Sequence, residues 1–232
     1  MEPMHIPAWT LTALRVTALF LAFSGSAVAG TITVTVTGQG GPLENAVVAM
    51  YAAHAPPATR LPSRDMDQRG MTFQPHVLAV QAGSEVGFPN SDNTRHQVYS
   101  FSPAKTFELP LYSGTKAKPI QLGTPGVVEL GCNIHDWMLG YIVVLDTPYF
   151  AVTSANGQAT IEVPSGSYRL EAWHESQDAP PGQRTSQQVT VTANKSSTQI
   201  DMRVKSPPPS KQPANDRLRD LQQRFRAVKR ER

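Results

Sequence analysis

Apolar and polar residues alternate along much of this chain with the period of an extended strand. Thr31 to Thr37 reads TITVTVT, an apolar side chain at every second place, and a Gly-rich turn then leads into a second apolar run, AVVAMYAA. Strict alternation of this kind marks a strand with one buried face. The signal returns in HVLAVQAGSEVGFPN, where Val77 and Ala79 and, past a turn at Gly83, Val86 and Phe88 share a face. VVEL after Gly126 and LGYIVVL after Met138 predict two further strands. TPYFAVTSANGQATIEVPSGSYRLEAWHE predicts strands joined at Asn156-Gly157 and at Pro164 to Gly166, both turn signals, and QQVTVTA and SSTQIDMRV close the set. Helical spacing is clearest near the C-terminal end, where Leu218, Leu221, Phe225 and Val228 recur at steps of three, four and three among arginines. The expected fold class is all-β, with a basic C-terminal helix or tail.

The ends of the chain differ from its body. Residues 1–29 contain Arg15, the apolar run VTALFLAF and Ala27-Val28-Ala29 before Gly30, the build of a cleavable export signal. A transmembrane anchor is the alternative, but it needs about 20 apolar residues and this run is shorter. The formal net charge is +3, yet Asp216 to Arg232 alone holds seven basic and three acidic groups, so the body is nearly neutral and the tail basic. Ser206-Pro207-Pro208-Pro209 opens a stiff linker to that tail. The tail is either solvated or docked, and an acidic partner or lipid headgroups suit its charge. Export separates it from nucleic acid. The one cysteine excludes an internal disulfide, and in an oxidising compartment a free thiol is a hazard that metal binding removes.

That cysteine lies in GCNIHDWM, with His135 three and Met138 six residues after Cys132. Thiolate, imidazole and thioether are the donors of a mononuclear copper site in which Cys and His form a trigonal set and Met sits on a long axis. A second imidazole must come from elsewhere, and His96 in NSDNTRHQVYS is the candidate. The other histidines lack ligand spacing: His76, His174 and His54 are expected to pack or face solvent. Glu108 and Glu129 lie near the loop without a ligand role, and Asp136 is expected to be solvated.

From about Thr72 to Asp146, with FPNSD, LPLYSG and CNIHDWM, the chain resembles a cupredoxin of the plastocyanin and amicyanin class, and the six-residue step from Cys132 to Met138 is similar to the short amicyanin loop. The wider context resembles bacterial proteins labelled methylamine utilisation proteins. The flanking elements, GPLENAVVAMY and NGQATIEVPSGSYRLEAWH, resemble the beginning and end of a carboxypeptidase regulatory-like, or transthyretin-like, β-sandwich. These resemblances imply a Greek-key cupredoxin at 60–146 inserted into a second small β-sandwich made of 30–59 and 147–205, with 1–29 a signal peptide and 206–232 the linker and tail. A single large sandwich is the rival arrangement. They further imply one type 1 copper ion on His96, Cys132, His135 and Met138, a periplasmic location, and a dehydrogenase or c-type cytochrome as redox partner. Gln97 and Asn133 would tie the two ligand loops together. An apolar collar including Trp137, Leu139 and Pro89 would surround the edge of His135. Electron transfer is the implied role, copper storage, delivery or sensing the alternative. An oxidase or nitrite reductase would need histidines beside the cysteine, where Gly131 and Asn133 stand.

Overall fold

The structure, a computed structural model, describes residues 29–53, 61–113, 117–180, 183–205, 220–224 and 227. The predicted signal segment up to residue 28, His54 and most of the tail lie outside them. Among the described residues the regular structure is strand, apart from a short helical stretch from residue 220. In the first sheet, β1 (Ala29–Gly38) runs between β15 (Gln158–Pro164), antiparallel, and β18 (Lys195–Asp201), parallel, while β2 (Gly41–Pro42) folds back on β1. The alternation of TITVTVT becomes alternating burial, with Ile32, Val34 and Val36 inside and threonines on the other face. The second sheet is antiparallel, in the order β14 (Tyr149–Val152), β3 (Val47–Tyr51), β16 (Gly166–Trp173), β17 (Thr185–Val191).

The third sheet has the order β10 (Lys105–Glu108), β9 (Tyr99–Ser102), β12 (Gly126–Gly131), β13 (Leu139–Leu145), β7 (Val77–Gln81), with β7 parallel to β13. A fourth joins β11 (Ile120–Leu122), β8 (Ser84–Gly87) and β4 (Arg64–Asp65), and β5 (Asp67–Gln68) pairs with β6 (Phe73–Gln74) in a small hairpin.

Three apolar clusters bind these sheets into a stack. Val34, Val48, Met50, Ile161 and Leu170 fill the space between the first and second sheets. Phe88, Val128, Leu130, Ile142 and Val144, together with Cys132 and Met138, fill the space on the far side of the third. Between the second and third sheets, Val47, Ala49 and Trp173 meet Val77, Ala79, Tyr141, Val143 and Leu145. The continuous apolar runs VVAMY and LGYIVVL follow from this stacking: β3 and β13 are covered on both faces, and a strand buried on both sides has no polar face to alternate with. Tyr141 meets Trp173 at 5.5 Å between ring centroids. The chain leaves β3 at Tyr51 and returns beside it, for Tyr149 faces Met50 in register, and the buried Thr147 hydroxyl donates to the Met50 carbonyl at 2.6 Å.

Candidate metal centre

The register of the third sheet assembles the site. Strands β12 and β13 form an antiparallel pair whose last partners are Gly131 and Leu139. Cys132 and Met138, one residue further on each side, therefore stand at the mouth of one hairpin, and both are fully buried. The loop between them closes through the Met138 amide, which donates to the His135 carbonyl at 3.0 Å. On the other side of β12, Tyr99 faces Gly131, which carries the segment ahead of β9, with His96, to the same end of the sheet. His96 is fixed by a two-way backbone bridge to Tyr112, at 2.9 and 3.0 Å, and is itself fully buried.

Three of the four expected ligands thus converge. His96 Nδ1 and His135 Nδ1 are 3.0 Å apart, and Cys132 Sγ lies 4.0 Å from the first and 3.9 Å from the second. A triangle with those sides is acute, and the point equidistant from its corners lies about 2.1 Å from each donor, inside the ~2.0–2.3 Å range of metal–nitrogen and metal–sulfur bonds. Two imidazole nitrogens and a cysteine sulfur at this spacing are a donor set that would suit a His2Cys copper site. His96, Cys132 and His135 are also the group of potential ligands among the described residues whose donor atoms all lie within 4.8 Å of one another. The cluster can hold one copper ion. Met138 belongs to the same buried cluster as Cys132.

No protein-family model matches the chain, and no curated protein matches it in sequence. Solved structures do. The similarity is to copper proteins. A copper-containing nitrite reductase from Thermus scotoductus SA-01 is 27% identical over 42% of this chain, which spans 25% of the reductase, with a TM-score of 0.34. A purple cupredoxin from Nitrosopumilus maritimus is 20% identical over 36% of this chain and 100% of its own, TM-score 0.31. An amicyanin variant in its Cu(I) form is 20% identical over 36% of this chain and 82% of its own, TM-score 0.34.

Burial and hydrogen bonds set the charges around the donors. Burial, and then the neighbouring His96, hold the His135 imidazole below its ordinary value, which favours the neutral form that a metal needs. The other nitrogen of His96, Nε2, donates to Asp92 Oδ2 at 2.8 Å. Burial alone would raise the Asp92 carboxyl. The amides of Met71 and Gly70, followed by His96, outweigh it and leave the carboxyl below its ordinary value. Asn90 shapes this loop, accepting from the Asp92 amide at 3.0 Å and donating to the carbonyls of Thr94 and Tyr112. Burial pushes the phenols of Tyr99 and Tyr112 up to about 12, so both remain neutral beside the sulfur.

Several neighbours differ from expectation. Gln97 does not reach toward Asn133: its amide donates to Glu108 Oε1 at 2.6 Å, and Asn133 is exposed. The nearest carboxylate takes the longer amide side chain that stands after His96. The collar also changes. Trp137 is 54% exposed and its ring lies 5.3 Å from that of His135, as expected, but Leu139 turns into the cluster between the second and third sheets. Ile134, Leu111 and Met71 join Trp137 as the exposed large hydrophobics among the described residues. Ile134 lies in the donor loop, Leu111 precedes Tyr112, whose backbone bridges His96, and the Met71 amide donates to Asp92, the partner of His96. Asp136 is exposed. His76 pairs with Glu175 at 3.0 Å, and His174 donates to the Glu44 carbonyl at 3.1 Å, so both have structural partners. Asp92 was not singled out by the sequence; its place four residues before His96 in SDNTRH is the only local signal of its contact.

Proposed function

We propose that the protein is a one-electron carrier of the type 1 copper kind, with His96, Cys132 and His135 as equatorial donors and Met138 as the weak axial one. The donor triangle carries this reading, because its size would suit one ion bound by all three donors. A bound copper ion would supply the one-electron couple. The protein's part is to hold the donors still. Cys132 and Met138 are anchored at the ends of paired strands and His96 by its backbone bridge, so little has to move when the oxidation state changes. Trp137, exposed and with its ring 5.3 Å from that of His135, and the exposed Ile134 of the same loop give apolar surface through which a partner can approach the imidazole. No histidine flanks Cys132, where Gly131 and Asn133 stand, so a covalent path from the sulfur to a second copper is not built in, and the reading is a carrier rather than an enzyme.

The same proposal places the chain in the periplasm after removal of residues 1–29, with a dehydrogenase or c-type cytochrome as partner by family resemblance. It takes 60–146 as the copper unit and 30–59 with 147–205 as a carboxypeptidase regulatory-like sandwich that presents it. The adjacent exit and return at Tyr51 and Tyr149 support that division. The basic tail would meet an acidic partner or a lipid surface. Absorption and electron paramagnetic resonance spectra of the copper-loaded protein test the central claim. An intense thiolate-to-copper band with reversible redox cycling is expected. A colourless complex that yields its copper to a competing chelator would overturn it in favour of storage or delivery.

A further inference from the structure

The Asp92 carboxylate is held by more than its histidine. Its Oδ1 accepts from the Gly70 amide at 2.7 Å, and Oδ2 accepts from the Met71 amide at 2.9 Å and from His96 Nε2 at 2.8 Å. The two amides come from the turn of the hairpin formed by β5 and β6, which Arg69 and Thr72 close with reciprocal backbone bonds of 3.0 and 3.3 Å. Gly70 and Met71 have φ of 64° and 56°, the left-handed pair that a type I′ turn requires. For methionine that conformation is unfavourable, and the turn's sharpness brings both N–H groups to bear on one carboxylate. The loop bearing Asp92 is tied to the hairpin again by Ser91, whose hydroxyl donates to Asp67 Oδ2 at 2.8 Å and whose amide donates to the Gln68 carbonyl at 3.0 Å.

We infer that Asp92 is the positioning residue of the metal centre, presented by the 67–74 hairpin, and that it orients His96 and biases the site toward Cu(II). The inference rests on the copper reading above. A carboxylate accepting from Nε2 forces the tautomer whose bare Nδ1 faces Cys132 and His135, and adds a directional hold on the plane of the buried ring. The negative charge reaches the ion through a single imidazole in a buried setting, and it stabilises the higher oxidation state more than the lower.

Two variants separate these effects. Asp92→Asn keeps an oxygen to accept from Nε2 and removes the charge; the ratio of Cu(II) to Cu(I) affinity should fall about tenfold, a rise in reduction potential of about 59 mV for one electron, with the thiolate band retained. Asp92→Ala removes the acceptor as well, and Cu(II) affinity should drop about 10- to 100-fold with a broadened paramagnetic spectrum. Glu85→Gln, which removes a charge from an exposed position on β8 that has no part in presenting Asp92, is the control and should leave the potential near that of the parent. An Asp92→Asn protein with the parent potential, or an equal shift in Glu85→Gln, would overturn the inference. Should Asp92→Ala not fold, the comparison of Asp92→Asn with Glu85→Gln decides alone. A parent protein without the thiolate band would instead refute the copper reading.

Discussion

Gly131 sits between the copper-site loop and the C-terminal tail, and its substitution gives a test with a calculable size. A Cβ on residue 131 would lie 2.7 Å from both Cζ and Oη of Tyr99 and 2.9 Å from Cδ2 of Leu221. Ordinary carbon contacts are about 3.5–4.0 Å, so each neighbour must retreat by nearly an ångström. Tyr99 cannot retreat easily, being fully buried in β9 with Phe101 at 5.5 Å. Leu221 is also buried, packed with Tyr99 and Phe101, and among the described residues of its short helix turn the Arg224 guanidinium donates to the Phe101 carbonyl at 3.2 Å. Gly131→Ala should therefore displace the tail and lower stability by about 1–3 kcal/mol, the usual range for overpacking. In a chain of this size each kcal/mol corresponds to about 2–4 °C in Tm. Leu221→Ala should itself cost about 2 kcal/mol, the lower end for a buried leucine, because a terminal segment can collapse or leave. The decisive quantity is the coupling. With Leu221 truncated, one of the two overlaps disappears, and Gly131→Ala should cost about 1 kcal/mol less than in the parent. Denaturant titrations of the four metal-free proteins give the cycle. Additivity within about 0.5 kcal/mol would show that the two residues are independent and that the tail is not packed where Leu221 places it.

Cys132→Ser should abolish the thiolate band, whereas Met138→Leu, a swap of similar volume at a fully buried position, should keep copper bound while raising the potential; an unchanged potential would count against axial ligation. Trp137→Ala should leave spectrum and potential alone and slow electron exchange with a protein partner, since more than half of that side chain is exposed beside His135. The His76–Glu175 pair predicts a pH window. The hydrogen bond to Glu175 is the main cause that raises His76 above its ordinary 6.5, so its stabilisation is complete below that pH and lost as pH rises through the raised value. Burial pushes Glu175 up, but His76, His174 and Tyr141 outweigh it and leave the carboxyl below its ordinary 4.5, so that share is complete above 4.5 and lost on acidification through the lowered value. Both contributions are present between those limits. Because His76 is more than a third exposed, screening keeps the gain to about 0.5–1 kcal/mol. Glu175→Gln should thus reduce Tm most near pH 5.5, and a difference that does not vary with pH would refute the pairing.

The elements and two of the converging donors were legible because each has a local signature. Alternation in TITVTVT became alternating burial, and Cys132 and His135 stood within one short loop between two strand signals. His96 was legible as the histidine of a turn-rich segment that the sheet register then carried to the same place. Features that depend on stacking were not. Nothing in the spacing of VVAMY and LGYIVVL says which surface covers their second face, although the absence of polar positions says that one must. Gln97 choosing Glu108, and Leu139 turning inward while Leu111 turns outward, are outcomes of rotamers and neighbours brought from distant parts of the chain. Asp92 depends on a turn 22 and 21 residues earlier offering two amides, a contact without periodicity to betray it.

The mouth of the β12–β13 hairpin has one more implication. A seven-residue bridge between two paired strands carries a cysteine sulfur, an imidazole and a thioether, and in the proposed site one outside nitrogen is added to them. Such a bridge is portable. Spliced into another antiparallel pair whose neighbouring strand offers a histidine at matching height, it would bring most of the chemistry with it, and the recipient would have to supply little beyond a dry floor beneath the sulfur.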